Sequence, residues 1–356
     1  MAVFWTDGYR PFFLFFPVWG AIFLVAWGGA LTGGPLRPAI PLADHATVML
    51  WGVLGSGVIG FLLTAYPRQN GAAPPRARLV GALIAGQVLA HAARAASWFG
   101  AASGGLATAL GAAVWAGMLG WSVSVAAPSL RRQWEWTAAA VPAALSVALA
   151  GWMGVRMGVA GAIDLGLHGF LLLLALSVLD KMLPFFSLRA VPGWDGVRRP
   201  LFIPLLAAAM LIRAANGVAG DVLLIGLLLR QWWGWQPHRG FRVPLVAVLH
   251  LGVLWISLGY GVEAFGGPRT ASIHLWGLGG LVTLILGFAA RVSLGHGGKP
   301  LQLDRLGMVP LGLVQVALLL RLAVYGGAPT LVASAWVLSA AFVAWTARFG
   351  PLLFAR

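Results

Sequence analysis

Five histidines of this 356-residue chain lie in or beside long apolar stretches, and they are the side chains best able to carry chemistry. In sequence order they are His45, His91, His168, His250 and His274. Polar side chains are costly in the hydrocarbon of a membrane, so they tend to face other protein groups or a bound ligand. The sequence contains no cysteine, which excludes disulfides, iron–sulfur clusters and thiolate metal sites. Any metal must therefore be held by histidine, methionine, carboxylate or backbone oxygen.

Neutral imidazole binds haem iron as well as metal ions, and haem b is the cofactor that these histidines best support. We predict that His45 is an axial ligand of the iron and that His274 is its partner across the ring. His168 is the alternative partner, or the single ligand of a second haem open to a small molecule, and His250 is a further candidate. For a metal ion the candidate ligands are His45, His274, His168 and His91. Each histidine taken alone is also consistent with a hydrogen bond to a carbonyl of a neighbouring helix.

Two tryptophans both follow a candidate histidine within six residues and lie inside a Leu-Trp-Gly triplet. Trp51 follows His45, and Trp276 follows His274. Both could pack against a flat macrocycle, so we include them among the candidate cofactor-binding residues. The neighbouring glycines, in "GVLGSGVIG" and "GLGG", are also typical of close contact between helices, which is the simpler reading of these segments.

Two acidic residues, Asp44 and Asp164, stand one and four residues before His45 and His168. A carboxylate at such a position can accept a hydrogen bond from the imidazole and orient it. The alternative is a solvated helix start, where aspartate is a favoured cap, and we prefer this interpretation for Asp164. No row of carboxylates crosses the apolar segments, which disfavours a proton pump.

The composition indicates a membrane protein with many spans. Hydrophobic residues make up 60% of the chain and charged residues 9%, and the mean hydropathy is +0.87. Soluble domains are about 25% charged. A net charge of +15 does not point to nucleic acid here, because membrane proteins collect arginine on their cytoplasmic loops.

Twelve apolar segments of membrane length alternate with turns rich in glycine, proline and charge. We therefore predict an all-α fold, a single membrane domain of twelve helices over residues 1–356. The predicted spans lie near 12–31, 43–66, 79–99, 104–126, 134–155, 162–185, 201–216, 218–236, 243–265, 270–293, 306–325 and 329–349.

The positive charges predict the orientation. Six of the 24 lysines and arginines fall on one side of these spans and the remaining 18 fall on the other. The richer side is expected to be cytoplasmic, which places both termini in the cytoplasm of a multi-pass protein. The six arginines of the poorer, outer side are Arg37, Arg94, Arg156, Arg213, Arg269 and Arg321.

Three of the histidines recur on every fourth span. His45, His168 and His274 lie in the outer parts of the second, sixth and tenth predicted spans, which all run in the same direction. This spacing favours a three-fold pseudo-repeat of four helices, although the sequence identity between the repeats is weak.

Several blocks of the chain resemble the NnrS family. They are "GYRPFF" at 8–13, "HATVMLWG" followed by "GFLLTA" within 45–65, "MLPFFSLRA" at 182–190, "LHLGVLWISLG" at 249–259 and "RVSLGHGGKPL" at 291–301. The blocks occur in the family's order and span nearly the whole chain. The resemblance implies twelve membrane helices and a haem- and copper-containing protein of the bacterial inner membrane. It also implies a role in the response to nitric oxide during denitrification or nitrosative stress.

The second span departs from the pattern of the family it resembles. That pattern reads W-H-A-H-E-M-L-F-G, whereas this chain reads "DHATVMLWG". His45 retains the first histidine, but Thr47 replaces the second and Val48 replaces the glutamate. A copper site that needs both is reduced to one ligand, so we predict sub-stoichiometric copper. Haem binding through His45 is not affected by the change.

The expected function is that of a haem-binding membrane protein that binds, detoxifies or relays nitric oxide, with membrane lipid as its surroundings and no nucleic acid partner. Two alternatives remain open. Twelve spans with histidines on the second, sixth and tenth also resemble the haem–copper oxidases and nitric oxide reductases. A subunit related to them would be an oxidoreductase or its accessory, with a respiratory-chain partner. The other alternative is a transporter or assembly subunit without a cofactor.

The charge distribution makes a direct prediction about topology. A reporter fused after Arg356, or inserted in the loop 193–198, is expected on the cytoplasmic side, and a reporter near Gly33 on the external side. Labelling of intact cells with a membrane-impermeant reagent measures this. External labelling of the loop 193–198 would show that the number of spans or their orientation is different.

Overall fold

Twelve helices of 14 residues or more account for most of the residues that the structure describes. A computed structural model describes residues 4–5, 7–32, 39–197, 199–323 and 328–355. In chain order the helices are α1 (Tyr9–Thr32), α2 (Leu42–Gln69), α3 (Ala77–Ser97), α4 (Gly104–Arg132), α5 (Trp136–Arg156), α6 (Ala162–Ala190), α7 (Phe202–Ala215), α8 (Gly217–Gly234), α9 (Pro244–Ala264), α10 (Arg269–His296), α11 (Arg305–Leu322) and α12 (Ala328–Phe349). Each coincides with a predicted span, and the all-α prediction is confirmed.

Ten of the helices in the described residues are long and apolar enough to cross a bilayer. The other two are α7 and α8, the pair joined by the short "NGVAGD" connection. α7 has 14 residues, or about 21 Å of helix, which is short for a hydrocarbon core about 30 Å thick. α8 has 18 residues but carries Asp221 and Arg230, which lower its hydropathy.

Local chemistry explains where several helices begin and end. The Asn216 side chain accepts from the backbone N–H of Ala219 at 3.2 Å and caps α8. Asp304 caps α11 in the same way, accepting from the N–H of Gly307 at 2.7 Å. Gly266 follows α9 with a φ of 71°, a left-handed conformation that residues with a Cβ adopt at a cost.

Three helices contain a π-helical segment, and these are the second, sixth and tenth. The segments are Val48–Leu54 in α2, Leu165–Leu172 in α6 and Leu275–Val282 in α10. Each follows a short α-helical start and is followed by a longer α-helical part. π-helical geometry is rare and is usually confined to a single turn. Its presence in every fourth helix supports the pseudo-repeat expected from the histidine spacing.

The described residues fall into two compact units. The first comprises residues 1–171 with 338–356. Within it α2 is the central helix, since it packs against α1, α3, α4 and α5. The core is apolar and rich in large aromatic rings, including Phe12, Trp51, Trp115 and Trp345, all fully buried.

The second unit comprises residues 172–337. Here α9 packs against the last part of α6 and against α8 and α10, and α10 packs in turn against α11. α7 and α8 form an antiparallel pair. The prediction that the whole chain is one domain stays a prediction.

The first unit is held together by a contact between sequence-distant segments. Arg10, only 3% exposed, donates from Nη1 to the carbonyl oxygens of Leu353 and Ala355 at 2.7 and 2.6 Å. Its Nε pairs with Asp7 at 2.9 Å. The start of α1 therefore lies beside the segment that follows α12, at the same end of this unit.

Replacing Arg10 tests this contact. Arg10→Ala removes a charged donor from two backbone carbonyls, so we expect a loss of about 3 kcal/mol in unfolding free energy. Thermal unfolding in detergent should show a lower Tm. Arg132→Ala is the control, because Arg132 is exposed and has a single backbone contact, to Pro128. Equal Tm values for the two variants would contradict the assigned role.

Candidate functional site

His45 lies on α2 against two aromatic rings of α1. Its imidazole is half-buried and stacks on Trp27, with ring centroids 4.3 Å apart and planes inclined by 25°. Phe23 covers it on a second side at 5.7 Å. The π-helical segment of α2 begins three residues further along, at Val48.

His91, on α3, packs directly against the π-helical segment of α2. A Cβ at Gly52 would collide with the imidazole, so only glycine permits this approach. Trp19 and Phe15 of α1 cover the ring at 5.2 and 6.0 Å. His91 is 3% exposed, and its Nε2 has no hydrogen-bond partner among the described residues.

One aromatic stripe on α1 therefore contacts both histidines. Phe15, Trp19, Phe23 and Trp27 are spaced four residues apart and so lie on one face of the helix. Phe15 and Trp19 cover His91. Phe23 and Trp27 cover His45. The stripe is visible in the sequence as F-x3-W-x3-F-x3-W, although a pattern of this kind is more often simple core packing.

His168 lies inside the π-helical segment of α6 and is buried. Its Nε2 is 4.0 Å from Oδ1 of Asp164, whose side chain is 47% exposed. The carboxylate is thus near the imidazole, at longer than hydrogen-bonding distance.

Trp51 fills a space left by two glycines of the first unit. Its indole N–H donates to the carbonyl of Ala148 at 2.9 Å, and the ring is fully buried. A Cβ at Gly166 or Gly151 would collide with or crowd this ring. Trp152 meets it edge-on at 6.2 Å. Helix contact, the simpler of the two interpretations, accounts for its burial.

His274 is the best oriented of the predicted ligands. Its Nδ1 lies 2.7 Å from the carbonyl oxygen of Thr270, and Arg321 Nε lies 3.1 Å from its Nε2. A carbonyl can only accept, so the proton is on Nδ1 and the lone pair is on Nε2. Metal-bound histidines commonly have this tautomer, with the second nitrogen donating to a carbonyl. Nε2 could bind iron only if the Arg321 side chain moved away and its hydrogen bond to His274 were broken.

Trp276 begins the π-helical segment of α10 together with Leu275 and is fully buried. Arg213 and Arg269 lie over its ring at 5.2 and 5.4 Å from the centroid. Tyr260 contacts it at 5.0 Å, and Gly259 makes room for the indole. Two cations on one indole are a cation–π arrangement with little room for a macrocycle on those faces.

His250 is fully enclosed in the second unit. Neither ring nitrogen has a partner among the described residues, although an imidazole always carries at least one N–H. Its Nε2 abuts the backbone at Gly240, where a Cβ would collide with it. Phe241 and Trp232 complete the enclosure, at 5.8 and 6.3 Å.

A charge cluster lies beside His45 in the first unit. Asp44, 6% exposed, accepts from the Trp98 indole at 2.9 Å and pairs with Arg156 at 3.1 Å. Arg94 is 3.9 Å from the same carboxylate. Both carboxylate oxygens thus have partners, and Asp44 is buried among arginine and tryptophan side chains rather than exposed as a solvated helix cap.

A second cluster lies in the other unit. Arg213 pairs with the buried Asp221 at 2.6 Å, and Arg269 pairs with Glu263 at 2.7 Å. Arg213 also lies 3.9 Å from Glu263 and links the two pairs. Both clusters were missed in the sequence interpretation.

The positions of the outer arginines in the sequence already pointed to these clusters. Five of the six arginines assigned to the outer side have a partner here, and Arg37 lies outside the described residues. Four of them, Arg94, Arg156, Arg213 and Arg269, pair with an acid, and Arg321 bonds to His274. Arginines on the outer side are exceptions to the positive-inside rule, and pairing them with the few intramembrane acids predicts both clusters.

The ligand chemistry suits a haem better than a multi-ligand metal ion. In the portion of the chain that the structure describes, no group of three His, Asp or Glu side chains is placed to hold a metal. A haem iron needs only one or two imidazoles. His274 has the tautomer for this, and His91 and His250 carry buried ring nitrogens without partners.

An all-helical chain with at least ten helices able to cross a bilayer is a polytopic membrane protein. The family model described as NnrS protein matches residues 3–356, so the chain belongs to the NnrS family. It is thus a membrane protein related to the nitric oxide response. A search of curated proteins found no match.

The cluster at Asp44 gives a test in the first unit. Asp44→Asn leaves Arg94 and Arg156 together without a counter-ion, so we expect a loss of about 2 kcal/mol in stability. Thermal unfolding in detergent measures it. Asp164→Asn is the matched control, because its carboxylate is 47% exposed and lies outside the cluster, so the change should alter stability little. A stable Asp44→Asn protein would mean that the cluster contributes nothing.

Proposed function

We propose that this protein binds haem b in the membrane and uses it to bind, detoxify or relay nitric oxide. Membership of the NnrS family supports the link to nitric oxide. The bacterial inner membrane is the proposed location. A haem, when bound, would supply an iron that can take nitric oxide as a ligand.

The observation that carries the proposal is the change from α- to π-helix beside three histidines. The π-helical segment begins three residues after His45, contains His168, and begins directly after His274. π-helical turns occur frequently at functional sites because they shift side chains out of the regular register. The same rare geometry at three histidine-bearing helices indicates a shared purpose for these positions.

The two predicted axial ligands, His274 and His45, differ in their surroundings. His274 is held by Thr270 with its lone pair on Nε2, and loss of the Arg321 bond would make that nitrogen available. His45 is half-buried, and Trp27 and Phe23 cover part of its ring. Their pairing on one haem stays a prediction, with His168 as the alternative partner.

Copper is a weaker part of the proposal. Thr47 turns its hydroxyl back to the carbonyl of Ala43 at 2.7 Å, and Val48 is buried and apolar. Neither offers a copper ligand beside His45. Copper is expected to be sub-stoichiometric, with His91 or His250 as the ligands if it is present.

A haem-dependent oxidoreductase is the second candidate function. It is supported by the π-helical segments of the second, sixth and tenth helices, because the histidines of these three helices are the basis of the resemblance to haem–copper oxidases. In that case a respiratory-chain protein would supply electrons. Steady consumption of nitric oxide with an electron donor would favour this candidate.

The test is the absorption spectrum of the purified protein and three variants. The parent should show a Soret band, with split visible bands on reduction. His45→Ala and His274→Ala should each abolish the low-spin spectrum while the protein still inserts in the membrane. His238→Ala is the control, because His238 is exposed and outside the long helices, and it should keep the parent spectrum.

Other outcomes would redirect or end the proposal. If both variants keep the parent spectrum, the axial ligands lie elsewhere, and His168, His91 and His250 become the next variants. A colourless, folded protein that does not take up added haem would remove the haem proposal and leave a transporter or assembly role. Metal analysis of the same sample gives the copper content, and one tightly held copper per chain would contradict the expectation.

A further inference from the structure

Arg291, in the last part of α10, is a buried cation without a counter-ion. Only 5% of its surface is exposed. Its Nη1 is inaccessible and has no hydrogen-bond partner, and no ion pair joins it to any residue in the described ranges. Its guanidinium instead lies over the ring of Phe186 in α6, 4.0 Å from the centroid.

A second arginine lies close to it. Arg189 is placed over the neighbouring ring, Phe185, also at 4.0 Å. The two rings are 5.8 Å apart, and the charge of Arg189 acts on Arg291. Phe186 is anchored in turn by Phe288 of α10. Two like charges, the buried Arg291 and the exposed Arg189, therefore lie over adjacent rings, and an anion between them would reduce their repulsion.

The acids described in this unit have other partners. Asp180 accepts from Gln231, Asp195 from Gln236 and Arg239, and Asp304 caps α11. Asp221 and Glu263 belong to the charge cluster around Trp276. A buried cation without a counter-ion among the described residues is unfavourable, so a bound anion would stabilise Arg291.

There is room for such an anion beside Arg189. An open pocket of about 320 Å³ is lined by residues 188–194. Gly193 in this wall has a φ of 63°, and its carbonyl accepts from Arg239. The Arg239 guanidinium thus contacts one residue of the pocket wall and also pairs with Asp195 at 3.2 Å.

We propose that Arg291 and Arg189 form a binding site for a phosphate group. Guanidinium groups match the oxygens of phosphate with paired hydrogen bonds. The site lies where α6 ends and α10 approaches its end, and the ends of spanning helices lie at the depth of lipid headgroups. A phospholipid headgroup and free inorganic phosphate share this chemistry. The proposal is independent of haem binding.

The experiment compares purified, delipidated protein in detergent with Arg291→Gln, Arg189→Gln and Arg348→Gln. The last is a matched control, since Arg348 lies over an aromatic ring, Phe349, in the other unit. Thermal unfolding is recorded with phosphatidylglycerol, with phosphatidylcholine and with inorganic phosphate. Phosphatidylglycerol or phosphate should raise the Tm of the parent and of the control by a few degrees, and this rise should be lost in Arg291→Gln and reduced in Arg189→Gln.

The unliganded proteins give a second readout. Because the substitution removes an uncompensated charge, Arg291→Gln without ligand should unfold at a Tm equal to or above that of the parent. Arg291→Lys, which keeps the charge, should keep part of the ligand-induced rise and serves if the glutamine variant does not fold. A rise with phosphate alone identifies a free anion, and a rise with phosphatidylglycerol but not phosphate identifies a lipid. Equal rises in the parent and Arg291→Gln, or no rise in any protein, would overturn the proposal.

Discussion

A charge removed from water must find a partner, and in this protein the partners of most buried charges come from different helices. Asp44 of α2 joins α3 and α5 through Arg94 and Arg156, and Asp221 of α8 joins α7 through Arg213. Apolar packing alone is poorly specific inside a bilayer, because lipid tails are as apolar as leucine. The ion pairs fix which helix faces meet, and the large rings of Trp51 and Trp276 then pack against glycines near the resulting contacts.

Much of the helical architecture could be predicted from the sequence. Each of the twelve expected segments is a helix, because span length and glycine- or proline-rich breaks are local signals. The ends of α2 and α6 extend further than expected, to Gln69 and Ala190, since polar residues continue the helix beyond the apolar run. The charge clusters could also have been predicted, because the intramembrane acids and the outer arginines are few and so have few possible pairings.

The environments of the histidines could not be predicted from the sequence. Whether a backbone follows α- or π-geometry depends on a shift of its hydrogen bonds that leaves no residue pattern. The stacking of His45 on Trp27, and of His91 on Trp19, depends on the rotation of α1 about its axis. The same holds for the bond from Arg321 to His274, because the two residues are far apart in sequence and meet only through helix packing.

The contact of Arg10 with Leu353 and Ala355 has a consequence for the order of assembly. Helices enter the membrane as the ribosome makes them, so α1 is inserted long before these carbonyls exist. During that interval the guanidinium of Arg10 can hydrate at the interface and α1 remains free to move. The hydrogen bonds from Arg10 can form only after α12 and the carbonyl groups of Leu353 and Ala355 are in place. The segment after α12 must therefore be made before α1 can be fixed in place by this contact.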